Sequence, residues 1–401
     1  MQKIMKEKVM KQFIIFTSIY AMSHMITMGI YVTYLQSKGM NLLQVNLINA
    51  VYFSFLFLTE VPTGAFADLC GRKRSIVIAC VLRTISEVIY GLSDSFFGFI
   101  SGEIIAALGY TFMSGACQAW LVDSLHHRGY EVVDNRVFGR VKSYSQLMGM
   151  GGCIFGSYLG GISLSIPWFV GGVFALVAGI YVSCMIGEEY FVPEKFSLKQ
   201  GYGQIKKIIA SSMHYATTDK AVRFILVITF IQVFSVQAFN MFWQPFFGSH
   251  GVERVNFGWI IAGMLGCLAL GARLAEIVGV QADERFVIIK SQILVGTIIL
   301  CTLFFSHWFV LVILFLLHEV GRGFWEPMRD SYLHKRIPSH ERATISSFCS
   351  MSPCIGGAFG LVVSGMVAQF GSISLSWAVS SIILIVGALL VVRNNDLRSS
   401  K

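Results

Sequence analysis

Twelve apolar stretches, each close to the length that carries a helix across a bilayer, follow one another along these 401 residues and leave little room for any other architecture. A helix needs about 20 residues to cross roughly 30 Å of hydrocarbon. Runs of that length lie near 12–36, 44–66, 75–93, 96–122, 141–163, 166–186, 223–247, 257–279, 286–305, 308–328, 344–369 and 373–393. They are continuously apolar instead of alternating, so they are helices and not barrel strands, since in lipid every backbone polar group must be bonded within its own segment. The expected fold class is an all-α integral membrane protein with twelve transmembrane helices. Composition agrees: 55% hydrophobic residues, 13% charged ones and a mean hydropathy of +0.67 do not describe the wet surface of a soluble domain.

Orientation is expected from the 31 Lys and Arg, because cationic loops stay cytoplasmic. Lys3, Lys6, Lys8 and Lys11 precede the first run, and Arg72 to Arg74 follow the second. Arg128, Arg136, Arg140 and Lys142 follow the fourth, and Lys335, Arg336 and Arg342 follow the tenth. The opposite loops hold little beyond Lys38 and Arg254. Both termini are therefore expected in the cytoplasm, with the chain in a bacterial-type inner (plasma) membrane. The net charge of +9 then reflects topology and contact with anionic lipid headgroups, with no nucleic-acid partner implied. The basic start runs into a full-length span without a small-residue cleavage site, so no removable signal peptide is expected. All nine Cys lie in or at the ends of spans, where they read as small packing residues rather than disulfides or metal ligands.

The chain also repeats itself. Adding 207 or 208 to a residue number takes Gly64, Ala67 and Asp68 to Gly271, Ala275 and Glu276, and Asp123 and Ser124 to Asp330 and Ser331. Arg136 and Arg342 follow those two aspartates at similar distances, and Gly149, Gly151, Gly152 and Gly156 are echoed by Gly356, Gly357 and Gly360. A parallel repeat implies two six-helix pseudo-repeat bundles about an axis along the membrane normal, with a small-molecule substrate site between them near the midplane. The expected bundles are 1–187 and 222–401, joined by a cytoplasmic linker over 188–221. In the linker Leu198, Tyr202, Ile205, Ile209 and Met213 recur at helical spacing behind Ser197, with Lys199, Lys206 and Lys207 off the stripe. That pattern fits a short amphipathic helix on the inner leaflet, or a periodic flexible linker.

Between the second and third runs stand Gly64, Ala65, Phe66, Ala67, Asp68, Leu69, Cys70, Gly71, Arg72, Lys73 and Arg74. The glycines permit a tight turn and close helix approach, Asp68 offers an anion to an arginine or a helix N-terminus, and the cations anchor the loop at the membrane face. Glycine, aspartate and the Gly-Arg-Lys cluster in this spacing resemble the signature loop of the major facilitator superfamily. That resemblance implies the two-bundle fold, and implies that Asp68 and Arg72 bind the start of the eleventh helix near Arg342 and Thr344, latching a cytoplasmic gate. The bottom-up alternative is a plain cationic turn. In the fifth span Gly152, Gly156, Gly160 and Gly161 resemble the glycine motif of drug:proton antiporters of the same superfamily. This chain has Ser157 where those members have proline, and Ser143 at an upstream glycine position. Small residues every fourth place also suit any closely packed pair of membrane helices. Glu60 and Pro62 resemble residues of efflux-type members.

Ionisable groups within the spans are expensive and mark functional sites. Glu103 stands about seven residues into the fourth span, where a carboxylate can exchange a proton or hold a cation; its alternative is a fixed hydrogen-bonded pair. The resemblance implies that this helix lines the cavity, with an arginine in many members near the position of Glu103. His318, Glu319, Arg322 and Glu326 crowd the tenth span, and Glu319 and Arg322 can pair on one face. His318 and Glu319 do not begin a zinc motif, because position 322 is Arg322. Arg83 and Glu87 form another pair at helical spacing, taken as structural. Asp123 and Asp330 sit near helix C-termini, where the dipole disfavours anions, so Arg136, Arg336 or Arg342 are expected partners and gate ion pairs the functional version. His24, Gln237, Asn240, Trp243 and Gln244 are cavity candidates, with packing as their alternative.

No phosphate loop, serine elbow or metal-ligand spacing appears, so neither an enzyme, a metal site, an organic cofactor nor ATP-driven pumping is expected. The expectation is a monomeric secondary transporter driven by a proton gradient, exporting a small amphipathic or cationic compound by alternating access. A proton-coupled uptake symporter for a sugar, metabolite or siderophore-like solute is the alternative, and a transport-silent sensor on the same scaffold is a third. Substrate identity is set by a few polar side chains and does not follow from the fold.

Overall fold

The computed structural model describes residues 2–130, 135–188, 190–193, 219–279, 283–336 and 342–393, with the side chains of 2–6, 135–136, 334 and 342–351 outside the description. The linker residues 194–218, with the expected surface helix, also lie outside it. Every regular element in the described residues is a helix. In chain order these are α1 (Gln2–Met25), α2 (Tyr31–Ser37), α3 (Leu42–Cys70), α4 (Arg72–Leu92), α5 (Phe96–His126), α6 (Asn135–Ile162) and α7 (Ile166–Met185). There follow α8 (Lys220–Ser249), α9 (Phe257–Gly279), α10 (Glu284–Thr302), α11 (Trp308–Gly323), α12 (Trp325–Arg336), α13 (Arg342–Phe370) and α14 (Ile373–Arg393).

Ten helical stretches of the described chain are long and apolar enough to cross a membrane. Two further helices, α1 and α6, have the length, 24 and 28 residues, and carry their charges toward their N-terminal ends. The protein is thus an all-α multi-pass membrane protein with twelve transmembrane helices in two six-helix pseudo-repeat bundles.

Two expected spans are broken. The first, 12–36, becomes α1 and α2, because over Ile26–Ile30 the backbone tightens to three-residue hydrogen bonds, Met28 N to Met25 O and Ile30 N to Thr27 O. The tenth, 308–328, becomes α11 and α12 at Phe324, whose N–H also reaches back only three residues, to Gly321 O. Pro327 falls in the first turn of α12, where its missing N–H costs nothing.

The chain divides into two compact units: residues 1–34, 55–205 and 254–262 form one, and 35–54, 206–253 and 263–401 the other. These differ from the expected bundles 1–187 and 222–401 at two places, since packing ignores chain order. The beginning of α3 packs in the second unit, where buried Asn46 donates from Nδ2 to Leu361 O at 2.8 Å and to Ser364 Oγ at 3.0 Å. The beginning of α9 packs in the first, where a Cβ on Gly258 would stand 2.4 Å from Cys153 O.

Inside each unit the same neighbours meet. In the first, α4 packs on α5 and α7, and α1 on α6 and α7. In the second, α10 packs on α11 and α14, and α8 on α13 and α14. Helices in lipid gain nothing from hydrophobic expulsion and associate by close packing at small residues. A Cβ on Gly115 of α5 would meet Gly64 Cα at 3.1 Å, while one on Gly271 of α9 would come 2.0 Å from Val320 O. Gly271 and Gly323 cross with a built Cβ to Cα distance of 2.8 Å from Gly323. The pairs Gly64 with Gly115 and Gly271 with Gly323 stand at the repeat offset, so the sequence repeat is a repeated helix crossing. Aromatic cores fill the space around it, with Phe13 stacked on Trp120 at 5.8 Å in the first unit and Phe224 against Tyr332 at 5.1 Å in the second.

Candidate functional site

The signature loop of the first unit is an electrostatic knot. Gly71 turns the chain between α3 and α4 with φ +106°, a conformation L side chains rarely adopt, and a Cβ there would stand 2.9 Å from Glu188 Oε2. Arg72 Nη1 reaches Asp123 Oδ2 at 2.7 Å and its Nη2 reaches Asp68 Oδ1 at 3.3 Å. Arg72 N donates to Glu188 Oε1 at 2.8 Å and Lys73 N to Glu188 Oε2 at 3.0 Å, so a carboxylate spans two open amides at the positive end of α4. Lys73 Nζ adds a bond to Ser183 O at 2.8 Å. Among the described residues the partner of Asp123 is Arg72, because α5 ends beside the first turn of α4; of the arginines expected further along the chain, two lie outside the description. Gly64 makes its close approach through Gly115, since a Cβ on Gly64 itself would meet nothing within 4 Å. The side chains of Arg136, Arg342 and Thr344 lie outside the described residues.

Glu103, on α5, is buried at 6% exposure among aromatic rings. Tyr90 on α4 donates its hydroxyl to Glu103 Oε1 at 2.5 Å, and Tyr31, the first residue of α2, donates to the same oxygen at 2.7 Å. The α1–α2 break supplies this second donor by redirecting the chain after Ile30. Trp168 of α7 stacks on Tyr90 at 4.3 Å, Tyr34 donates to Tyr90 O at 2.6 Å, and the buried Trp168 Nε1 has no hydrogen-bond partner among the described residues. No Lys or Arg nitrogen among the described residues pairs with Glu103. One turn away from Tyr90, Glu87 pairs with Arg83, as the sequence pattern expects. Arg83 lies near enough to act electrostatically on Glu87, Glu103 and the half-buried His24. Glu60 on α3 stands apart and accepts from Ser114 Oγ at 3.2 Å.

The second unit brings its polar candidates together on α8 and α11. Buried Glu319 pairs with Arg322 at 2.6 Å, and the same Arg322 Nη1 donates to Asn240 Oδ1 at 2.9 Å. His318 is fully buried, bonds Phe315 O through Nδ1, and places Nε2 3.5 Å from Glu319 Oε1. Phe239, Trp243, Phe315 and Trp377 wall the group. Gln237 and Gln244 are buried on α8. Glu326 does not join them: it is exposed in the first turn of α12, beyond the break at Phe324, where the helix dipole favours it. Asp330 pairs with neighbouring Arg329 at 2.9 Å and not with Arg336, which sits 3.6 Å from Glu284. Among the described residues no three metal-ligating side chains converge.

The glycine motif of α6 packs on α1. A Cβ on Gly152 would stand 3.2 Å from Met22 O, one on Gly156 1.7 Å from Ile26 O, and one on Gly160 2.8 Å from the Ile30 side chain. Gly161 faces Val255 at 2.9 Å. Ser157, in the position of the antiporters' proline, is buried against Gly29, and its Oγ has no hydrogen-bond partner among the described residues. The motif therefore presses α6 onto the break between α1 and α2.

Sequence reasoning missed Glu188, Tyr31 and Tyr90. Glu188 gave no signal, being one acid in a polar interval. The tyrosines at 31 and 90 were legible only as span residues, because their meeting at Glu103 depends on three separate helices.

The family profile described as "Major Facilitator Superfamily" matches residues 13–282 and 225–400. An uncharacterized MFS-type transporter, YxaM, of Bacillus subtilis (strain 168) is 26% identical over 392 residues, 96% of this chain and 94% of the relative. Multidrug resistance protein 1 of the same organism is 22% identical over 316 residues, 76% of this chain and 75% of its own. Among solved structures the nucleoside transporter NupG superposes with a TM-score of 0.76 at 13% identity, over 97% of this chain and 98% of that one.

Proposed function

We propose that this chain, which belongs to the Major Facilitator Superfamily of membrane transporters, is a proton-coupled exporter of a small amphipathic or cationic compound. The observation that carries the reading is Glu103. Of the four buried glutamates, Glu87 and Glu319 are each paired with an arginine and Glu284 with Lys335, whereas Glu103, which Arg83 reaches only at a distance, is hydrogen-bonded among the described residues by two phenol hydroxyls. A carboxylate fixed by a guanidinium has a structural charge to keep. One bonded only to neutral donors in a membrane interior can take up a proton and give it back as its surroundings alternate. Tyr31 extends the hydrogen bonding from Glu103 to the break in the first span, and the glycine motif of α6 grips that same break. Protonation and helix movement thereby share residues.

In this reading Arg322, Glu319, Asn240 and His318 contact substrate or relay protons in the second unit, and the Asp68, Arg72 and Asp123 group latches the cytoplasmic gate. The lysine and arginine bias puts both termini in the cytoplasm of a bacterial-type inner membrane, with the chain working as a monomer. Relatives named for multidrug resistance in Bacillus subtilis (strain 168) and in Blochmanniella pennsylvanica (strain BPEN) support export. Ser157, in place of the antiporters' proline, favours the second reading, a proton-coupled uptake symporter.

The test uses everted membrane vesicles with an acidified lumen and a pH-sensitive dye, challenged with cationic drugs, anionic metabolites and sugars. Export predicts that one class collapses the gradient in wild type and not in Glu103→Gln. A Glu103→Gln protein that dissipates the gradient like wild type overturns the role of Glu103. Silence toward every class, with solute uptake by intact cells, selects the symporter.

A further inference from the structure

Near Gly152 and Gly156 α6 meets the first span backbone to backbone, and toward their lysine- and arginine-rich ends α1 and α6 share a hydrophobic cluster that includes Met10, Val137 and Val141. A pocket of about 450 Å³ opens between them, with Glu7, Lys11 and Arg140 among its lining residues. Its size falls within the range of small-molecule sites, roughly 300–1,000 Å³. Lys11, Arg140 and Glu7 make no side-chain ion pair or hydrogen bond among the described residues, unlike Arg72 and Lys73 of the signature loop. Among the described residues two cations and one carboxylate line the pocket, one positive charge in excess, above an apolar wall of Met10, Ile14 and Ile15.

We infer that this pocket binds a monoanionic amphiphile, its phosphate or carboxylate head between Lys11 and Arg140 and its hydrocarbon along Met10 and Ile14. The excess of one charge matches a phosphodiester monoanion, and the apolar wall distinguishes it from a site for a bare inorganic anion. Such a ligand comes from one of two sources: an anionic phospholipid of the adjoining leaflet, whose headgroups lie at the level of such cations, or a soluble alkyl phosphate. The site is separate from Glu103 and from the cluster of the second unit, and its occupancy does not depend on the direction of transport.

The full chain, purified in an uncharged maltoside at about pH 5, where a phosphate monoester is a monoanion, is titrated with dihexanoyl phosphatidylglycerol, dihexanoyl phosphatidylcholine, decyl phosphate and inorganic phosphate, and bound ligand is counted by native mass spectrometry. At least one of phosphatidylglycerol and decyl phosphate binds more tightly than its partner control, and which one binds identifies the source. Each cation at a membrane face contributes roughly fivefold, so Lys11→Gln/Arg140→Gln weakens the anionic ligand by about thirtyfold and leaves phosphatidylcholine unchanged. Lys8→Gln, which removes a cation outside the pocket, has little effect. The inference is overturned if phosphatidylcholine binds as well as phosphatidylglycerol and inorganic phosphate as well as decyl phosphate. It is also overturned if the double variant binds like wild type, or if Lys8→Gln weakens binding as much as the double variant.

Discussion

Replacing Gly156 by alanine puts a methyl group in place of a hydrogen at the point where α6 meets the break in the first span. The added Cβ would lie 1.7 Å from Ile26 O and 2.6 Å from Ile26 C. Ordinary contact needs about 3.5 Å, so α6 and the Ile26 carbonyl must separate by nearly 2 Å. Both obstructing atoms are backbone, and no side-chain rotation relieves them. Shifts of this kind cost about 1–3 kcal/mol and occasionally more, and the size of the overlap places Gly156→Ala at the upper end. The alanine also gains about 1 kcal/mol of helix propensity. Gly151 is the control: it lies on the same helix, is exposed, and its Cβ would meet nothing within 4 Å. The propensity gain is common to both variants and cancels, leaving a difference of about 3 kcal/mol from the clash alone. Reversible unfolding of the two variants in mixed detergent and dodecyl sulfate micelles, followed by tryptophan fluorescence, measures it. Gly151→Ala unfolds at or above the wild-type midpoint and Gly156→Ala well below. Two variants within about 1 kcal/mol of each other would refute the close approach and reduce the motif to a coincidence of composition.

Arg322→Met leaves Glu319 charged and buried without its partner, a loss of about 3–5 kcal/mol, whereas Glu319→Gln/Arg322→Met recovers most of it; the same unfolding titration reads both, and a double variant as unstable as the single one counts against the pairing. Glu188→Gln removes the charge at the first amides of α4 and lowers stability by about 0.5–2 kcal/mol at low salt, less at high salt; thermal unfolding at two ionic strengths checks it, and a salt-independent loss points to packing instead. Asp68→Asn leaves expression normal and abolishes transport in the vesicle assay; unimpaired transport removes Asp68 from the gate. Tyr31→Phe and Tyr90→Phe each remove one donor from Glu103 and cost about 1–3 kcal/mol, with the pair departing from additivity because both donate to one oxygen; strictly additive losses would show that the two hydroxyls do not share it.

The architecture was legible because lipid imposes a single length scale: each apolar run of about 20 residues becomes a helix with little regard to its neighbours. What that scale did not specify was where helices break. Gly29 and the group Gly321, Gly323 and Pro327 are breaker residues, but glycines are scattered through most of the spans and do not by themselves mark the breaks at Ile26–Ile30 and Phe324. Local ion pairs were legible for the same reason that helices were. Glu319 with Arg322 and Arg83 with Glu87 follow from helical spacing. Pairs between helices were not: Asp123 finds Arg72, and Glu188 finds the start of α4, through loop geometry that leaves no periodic trace. The glycine motif was legible as close packing, while its partner, the broken end of α1, was not.

The two units show which features a duplicated membrane bundle keeps. The crossing of Gly64 with Gly115 recurs as Gly271 with Gly323, and the order of packed neighbours recurs with it. The acids at the helix ends recur in Asp68 with Glu276 and Asp123 with Asp330, but the buried ionisable groups do not. The first unit holds a carboxylate between two tyrosines, and the second holds a carboxylate, an arginine, an amide and a histidine on α8 and α11. Close helix approach tolerates only the smallest residues, so a change at either glycine of a crossing disturbs the whole pair of helices at once. A buried polar group needs only that its own hydrogen bonds be met, and many combinations of side chains meet them. The polar interior is therefore freer to diverge than the glycine crossings. Grafting the second unit's pattern onto the first, by placing an arginine one turn after Glu103 at Ala106, tests the consequence. Ala106 is 6% exposed. If the absence of a cation bonded to Glu103 is what allows it to exchange protons, Ala106→Arg gives a folded protein whose vesicles no longer release the gradient, and Ala106→Met, of similar length and without charge, retains it. Equal activity in the two variants would show that the missing cation is incidental to coupling.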